Sequence, residues 1–537
     1  MLSFAWWLSL LVGFLSLSEE ILWVRVVGFG YDTLPPAFSM VLANYLVGIA
    51  LGAMVGKRLC SGTRNLYAVA AVVLVIAACF DVMIPKLVAG IDPSAVTHTR
   101  VLAVMIVATA GLKSILFPIA HHLGAFASGS GTGRSVSRVY FGNIIGSTLG
   151  PLLTGFIALE YLTVDECFVL VGVVCLAAAG ACAAKADSLR LAPVPVALIV
   201  ASGFLVLPRQ PAEHGVLGAF AHQQGGLPIT HMIGNRHGVI HTIWSPQGDL
   251  VYGTNVYDGI AAANVELNTN RLDRVYLLGL LHERPKRVLV VGLATGAWTR
   301  AVQGFPGVER IDIVEINPGY LELIRAYPDV APVLTDPRVH VHVDDGRRWL
   351  KRNPDARFDL IVQNTTYHWR ANSTNLLSRE YFTEVRTHLA PGGIVTFNTT
   401  GSYDVLHTAG VAFAHAYRYG NFVYASDHPL EPDYERLKAI RRPDGTPFET
   451  HAGPPESVSV LLSRARMEPV DRFIELRGVA DRVAVITDDN LLIEYRHGKR
   501  FGSGVLRALL PAEPEHFELG DPVLVSNEPV LPPVSAR

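Results

Sequence analysis

Beyond Cys182 the chain contains no cysteine. Everything after that residue is therefore excluded from holding a disulfide framework or a cysteine-based zinc site, and no metal is expected there. The five cysteines, Cys60, Cys79, Cys167, Cys175 and Cys182, all lie in or beside apolar runs. Free thiols in such places serve mainly as small packing groups. Charge is also scarce: 17% of residues are charged and the net charge is −2. That balance leaves no electrostatic footprint for nucleic acid, so no nucleic-acid partner is expected. Long apolar runs are missing after Pro208 and plentiful before it, although 50% of all 537 residues are hydrophobic. The composition therefore predicts a membrane half followed by a soluble half, with the lipid bilayer as the first half's partner.

A membrane-spanning helix needs ~20 apolar residues. Runs that meet or approach this are 2–17, 36–56, 66–84, 101–119, 139–159, 166–184 and 192–207. The first lacks the basic start and the small-residue cleavage site of a signal peptide, so it counts as a span. The last is short and carries Pro193 and Pro195, which leaves six or seven spans. Lys57, Arg58, Arg64, Arg134, Arg138, Lys185 and Arg190 fall on one set of loops. The positive-inside rule then puts the N-terminus in the cytoplasm. The soluble half lies outside if 192–207 spans, and stays inside if it does not. A cytoplasmic position is preferred, because nucleoside cofactors are made there.

Two glycine stripes, Gly48/Gly52/Gly56 and Gly142/Gly146/Gly150, would let helices approach closely. Glu19, Glu20 and Lys113 are ionisable residues within or beside spans. Such residues read either as a structural pair, here Glu20 with Lys113, or as a transport or substrate site.

After Pro208 the pattern changes. Residues 237–265 read as short strands around a Pro246-Gln-Gly248 turn, a small β-hairpin region. A helix is predicted over 272–282. Strands and helices then alternate: strands at 287–291, 310–315, 339–343, 358–363 and 393–398, with helices at 296–303, 318–327, 345–352 and 378–389. Alternation of this kind predicts a doubly wound, mostly parallel sheet, a Rossmann-like fold of the α/β class. Boundaries are expected at 1–208 for the polytopic membrane domain and 209–285 for a linker and the β-region. The nucleoside-cofactor domain is expected over 286–430, with an extension and tail over 431–537.

Ligands of such sheets bind beyond the carboxyl ends of the strands. Gly292, Ala294 and Gly296 follow the first strand, Glu315 ends the second, and Asp344, Asp345 and Gly346 follow the third. A polar loop, Gln363 to Arg370, follows the fourth. Glycines let the backbone approach a ligand, and an acid at the second strand end accepts from ribose hydroxyls. Each feature alone also has a structural reading as turn, strand end or N-cap; their order at strand ends favours a nucleoside pocket. Asp258, in Tyr257-Asp-Gly259, and Asp273 are secondary candidates.

The block Pro285-Lys-Arg-Val-Leu-Val-Val-Gly292, Val314-Glu-Ile-Asn317, Asp345-Gly346, Leu376-Leu-Ser-Arg-Glu-Tyr-Phe382 and Leu389-Ala-Pro-Gly-Gly393 resembles the spermidine synthase branch of class I S-adenosylmethionine-dependent enzymes. With the apolar half included, the chain is similar to bacterial inner-membrane proteins that carry a spermidine-synthase-like domain. The resemblance implies a transferase using S-adenosylmethionine or its decarboxylated form. Glu315 would hold the ribose, Asp345 the adenine amino group, and Gly292 to Gly296 would pass beneath the methionine part. The family's catalytic Asp and its second Asp stand here as Asn364 and Tyr367. Where the family has Tyr-His-Glu, this chain has Tyr276-Leu-Leu278. Asparagine cannot serve as a general base near neutrality. The small-molecule acceptor is therefore expected to differ from putrescine, with Asn364, Tyr367, His368 and Arg370 forming its side of the site. His368 is a candidate base and Arg370 a candidate partner for an acidic group; the loop also reads simply as a turn held by its Asn and Thr side chains. Two alternatives remain: a non-catalytic cofactor-sensing or scaffolding module, and a transporter with a regulatory domain. A homo-oligomer is compatible with each.

Overall fold

The computed structural model describes residues 2–62, 65–91, 97–126, 132–186, 215–221, 227–364, 367–448, 453–490 and 493–494. The expected span 192–207, Thr365 and Thr366 of the polar loop, and the Pro-rich end after Pro522 lie outside the described residues. The chain divides into two compact units, Met1–Val239 and Ile240–Arg537.

The first unit is helical. Helices α1 (Leu2–Gly30), α2 (Pro35–Cys60), α3 (Leu66–Ala89), α4 (Thr97–Ser114), α5 (Leu116–Phe126), α6 (Thr132–Leu153) and α7 (Val164–Lys185) make up most of it. Among the described residues, five stretches are long and apolar enough to cross a membrane: Pro35–Cys60, Leu66–Ala89, His98–Ala125, Gly133–Tyr161 and Val164–Lys185. They cover the expected runs from 36–56 to 166–184. The first expected run, 2–17, lies in α1, which continues through Glu19, Glu20 and Arg25. Helix α7 starts on a capping box. Thr163 Oγ1 accepts from the Glu166 N–H (3.2 Å), and Glu166 Oε2 accepts from the Thr163 N–H (2.8 Å).

Both glycine stripes are helix contacts. A Cβ at Gly48, Gly52 or Gly56 would run into the carbonyls of Val107, Gly111 and Ile115 around α4. A Cβ at Gly142, Gly146 or Gly150 would meet the carbonyls of Trp6, Leu10 and Phe14 on α1. Backbones this close leave no room for a side chain. Gly146→Leu should push α1 and α6 apart and destabilise the unit by about 1–3 kcal/mol, the usual range for overpacking. Thermal unfolding in detergent, read against Gly180→Leu where a Cβ meets nothing, checks this.

One expectation fails here. Lys113 does not pair with Glu20. Its Nζ lies 2.7 Å from Glu19 Oε2 and 2.7 Å from Asp81 Oδ1. Glu19 faces the interior with no exposed surface, whereas Glu20, one residue on, is partly exposed. A step of one residue rotates a helical side chain by about 100°.

Ahead of the second unit's main sheet, β1 (Ile229–Asn235) is followed by an antiparallel meander. It comprises β2 (Gly238–Ile243), β3 (Leu250–Gly253) and β4 (Val256–Ile260). The Gly248 N–H donates to the Ser245 carbonyl (3.2 Å), closing the expected turn. The β3–β4 turn uses Thr254 and Asn255, both at positive φ (49° and 68°), a two-residue hairpin geometry that matches strand twist.

The main sheet has eight strands. They are β5 (Arg287–Val291), β6 (Arg310–Glu315), β7 (Val339–Val343), β8 (Phe358–Gln363), β9 (Leu389–Asn398), β10 (His415–Tyr419), β11 (Phe422–Ser426) and β12 (Glu468–Pro469), in the order β12-β10-β11-β9-β8-β5-β6-β7. From β9 to β7 all pairings are parallel. The three strands at the other side are antiparallel, so the sheet is mixed. The parallel strands are apolar because helices cover both faces. These include α8 (Leu272–Leu281), α9 (Ala297–Gln303), α10 (Gly319–Ile324), α11 (Gly346–Arg352), α12 (Arg379–Thr387) and α13 (Tyr403–Ala412). Val288, Leu289, Ile311, Ile313, Leu360 and Ile361 are fully buried.

Two details differ from expectation. Strand β9 begins at Leu389 rather than 393. Its Leu389-Ala-Pro-Gly-Gly segment belongs to the strand, with Gly392 at φ 76° and a register shift opposite Phe358 to Leu360. The three antiparallel strands were not anticipated; β12 is two residues long and carries no readable period.

Candidate functional site

The carboxyl ends of β7, β6, β5 and β8 are level. Val343 pairs with Glu315, Val314 with Val291, and Val291 with Gln363. The sequence-predicted residues therefore gather along one edge of the sheet. Between β5 and β8 the chain order reverses, the place where open α/β sheets form a crevice.

At this edge Gly292 has φ 87°, and a Cβ on it would lie 2.8 Å from the Asn364 carbonyl. The Asn364 N–H in turn donates to Val291 O (2.9 Å). The next residues, Ala294 (φ 45°) and Gly296 (φ 77°), are also left-handed, and the Gly296 N–H closes the turn on Leu293 O (2.9 Å). Glu315 holds this turn. Its Oε2 accepts from the Leu293 N–H (2.7 Å) and its Oε1 from the Asn317 N–H (2.8 Å). The carboxyl is only 4% exposed, and burial pushes its pKa up to about 7 despite those N–H bonds.

Beyond β7, Asp344 and Asp345 take structural partners. Asp344 Oδ1 accepts from Arg348 Nε and the Asp345 N–H, and its Oδ2 from Arg352 Nη1 (3.2 Å). Asp345 caps α11: its Oδ1 accepts from the Arg348 N–H (2.8 Å). Gly346 is required by close packing, since a Cβ there would meet Val291 Cγ1 at 2.7 Å.

The polar loop after β8 is less uniform. Asn364, Tyr367 and Arg370 are half-buried. Tyr367 stacks on Trp369, with centroids 5.1 Å apart. His368 is fully buried, and its Nδ1 lies 2.6 Å from Thr400 Oγ1, which also accepts the His368 N–H (3.1 Å). His368 is thus built into the wall of the loop. The charge of Arg370 reaches Asp258, where it partly offsets the burial that raises that carboxyl's pKa. Asp258 also accepts from Tyr320 Oη. Asp273 sits apart, accepting from Asn268 Nδ2 (2.6 Å) and Tyr419 Oη (2.9 Å).

The 376–382 block explains itself structurally. Ser378 caps α12, Tyr381 Oη donates to Gln363 Oε1 (2.7 Å), and Phe382 stacks on Phe397 (4.5 Å). Gln363 continues the chain: its Nε2 donates to Leu376 O (2.9 Å). The block therefore clamps the loop to the head of β8.

Several supporting residues carried no sequence signal. Tyr320, five residues beyond Glu315, belongs to no pattern, whereas Asn317 closes the Val314-Glu-Ile-Asn317 block. Asn270, at φ 56°, binds Ile260 on both sides and its carbonyl accepts from Trp298 Nε1 (2.9 Å). The C-terminal segment also reaches the loop. Asp488 accepts from Arg347 Nη1 and Nη2 (2.7 Å each) and from Ser378 Oγ (2.6 Å). Glu494, 4% exposed, accepts from the N–H groups of Asn372 (2.9 Å) and Thr374 (3.0 Å). Asp488→Ala should cost about 1 kcal/mol, since its side chain is 39% exposed and screened. The local effect should be larger: limited proteolysis is expected to cut within 364–378 faster than in the parent protein.

This edge geometry, with an acid at the second strand end and a left-handed glycine turn at the switch, is that of a Rossmann-like domain. Residues 275–418 match the spermine/spermidine synthase domain family. Spermidine synthase 1 of Hyoscyamus niger is 34% identical over 113 residues, 21% of this chain and 36% of that protein. The polyamine aminopropyltransferase of Mycobacterium tuberculosis (strain ATCC 25618 / H37Rv) is 27% identical over 385 residues, 68% of this chain and 71% of that one. The chain thus spans about a third of the length of the first curated relatives it matches. The solved spermidine synthase of Thermotoga maritima shares 16% identity at a TM-score of 0.35, covering 40% of this chain and 79% of that chain.

Proposed function

We propose that the second unit is a transferase domain that binds S-adenosylmethionine or its decarboxylated form and acts on a small-molecule acceptor other than putrescine. The observation that carries this reading is Glu315: a buried carboxylate at the end of β6, fastened to the glycine turn of β5. Its oxygens accept the backbone N–H groups of Leu293 and Asn317 and keep lone pairs for ribose hydroxyls. The residues fit the nucleoside. Gly292 to Gly296 would lie beneath its methionine part, and Asp345, whose Oδ1 already caps α11, would offer Oδ2 to the adenine amino group. The sulfonium of the bound donor supplies an electrophilic carbon. Asn364, Tyr367 and Arg370 would bind and orient the acceptor, with His368 holding the loop in shape.

Mass spectrometry of reactions containing each donor and a panel of amines tests the proposal. Methylthioadenosine would report aminopropyl transfer, and S-adenosylhomocysteine methyl transfer. Absence of both products, with no calorimetric heat from either donor, sinks it. A second reading, a cofactor-sensing module, is favoured by Asn364 in place of a carboxylate; it is distinguished by binding without product. The first unit is proposed to lie in a bacterial cell membrane as a multi-pass bundle, with the second unit in the cytoplasm. A reporter fused at residue 300 would read that side directly.

A further inference from the structure

The helical unit contains a charged centre that the transferase reading does not use. Glu19 on α1, Asp81 on α3 and Lys113 on α4 each turn inward, and their side chains are 0%, 0% and 1% exposed. Lys113 Nζ stands 2.7 Å from a carboxylate oxygen of each acid. Among the described residues, the neighbouring helices add neutral groups: Tyr45 of α2, whose Oη donates to Ser16 O (2.5 Å), and Cys175 of α7, whose thiol lies 3.7 Å from Asp81 Oδ2. Glu20, a further acid whose charge reaches Tyr45, is partly exposed.

The charges do not balance. Two carboxylates and one ammonium sum to −1, and among the described residues no second cation bonds to the cluster. An uncompensated charge in an apolar bundle costs several kcal/mol. A structural ion pair accounts for Lys113 and one acid, and leaves the other unexplained. Moreover, Glu19 Oε1 is buried and accepts no hydrogen bond from any described residue. A single hydron between the two acids would satisfy both the charge and that oxygen.

We propose that Glu19, Asp81 and Lys113 form a proton-binding site in the helix bundle. One exchangeable proton is held by the two carboxyls, and Lys113 fixes them in place. Its release leaves a buried negative charge, which α1, α3 and α4 can relieve only by repacking to admit water or a cation. A proton gradient acting on this site would thereby move the bundle.

Infrared spectroscopy of the full chain in lipid tests this. A carboxylic-acid C=O band that shifts in D2O is expected, and it should weaken in Glu19→Gln and in Asp81→Asn, each of which leaves a balanced pair with Lys113. Lys113→Met removes the ammonium, so both acids take protons and the cluster's band should grow about twofold. Melting curves identify which variants fold; should the acid variants not fold, a pH titration of the unaltered chain and Lys113→Met still decide. A cluster band unchanged by every folded variant overturns the proposal. So does a melting temperature that sodium raises over choline in the parent chain but not in Glu19→Gln, which would assign the site to a metal cation instead.

Discussion

Glu315→Ala should abolish nucleoside binding by the second unit. The carboxylate does two jobs at once. It fastens the β5 turn through the Leu293 and Asn317 N–H groups, and it is the acceptor proposed for the ribose. Hydrogen bonds to a charged group are worth about 1.5–3 kcal/mol each, so losing two ribose contacts predicts a drop in affinity of about 10²–10³-fold or more. Calorimetry with S-adenosylmethionine and its decarboxylated form measures this, and far-ultraviolet circular dichroism verifies that the sheet survives.

The same residue sets a pH dependence. In the proposed role binding uses the ionised carboxylate, and burial has raised its pKa to about 7. Affinity should be flat above that pH and fall about tenfold per pH unit below it. Stability of the ligand-free fold runs the opposite way. The folded-state value lies above the ordinary 4.5, so the contribution is full below pH 4.5 and is lost as pH rises through about 7. Across that window the loss is about 3 kcal/mol. A parent protein whose affinity is equal at pH 5.5 and pH 8 would show that Glu315 does not touch the ligand.

What was legible in the chain followed from short-range physics. Strands β5 to β8 are apolar runs closed by turn residues, so their positions and the strand-end location of Gly292, Glu315 and Asn364 could be read. The glycine stripes were legible for the same reason, since helical period places them on one face. What escaped depends on distant partners. Asp81 is a lone acid in an otherwise apolar run, and its meaning comes from Lys113, 32 positions away. Asp488 and Glu494 act on residues 110 to 141 positions earlier, in a stretch with no period of its own. The Leu389 to Gly393 segment misled because Pro-Gly-Gly has turn composition; a left-handed Gly392 and a register shift let the strand absorb it. His368 is a candidate base by its chemistry, and only packing could reveal that Thr400 holds its Nδ1.

The acceptor side can be tested by restoring an acid. Asn364→Asp is expected to raise aminopropyl transfer to putrescine by about 10²-fold or more, the lower range for a positioned general base. The position suits the change. The Asn364 main chain is pinned to β5 by its N–H bond to Val291 O and by its carbonyl against Gly292, so a new carboxylate would enter a fixed site at the switch point. An attacking ammonium must lose a proton before it becomes a nucleophile, and the amide of Asn364 cannot take one. The gain should nonetheless stop short of a full polyamine site. Leu277 and Leu278, which replace the resembled family's His and Glu, are fully buried in α8 and offer no charge to a second ammonium. The substitution should therefore raise kcat while leaving KM for putrescine high. Methylthioadenosine release with decarboxylated S-adenosylmethionine gives both constants. An unchanged kcat in a folded, donor-binding variant would show that residue 364 does not face the attacking amine, and would favour the cofactor-sensing reading.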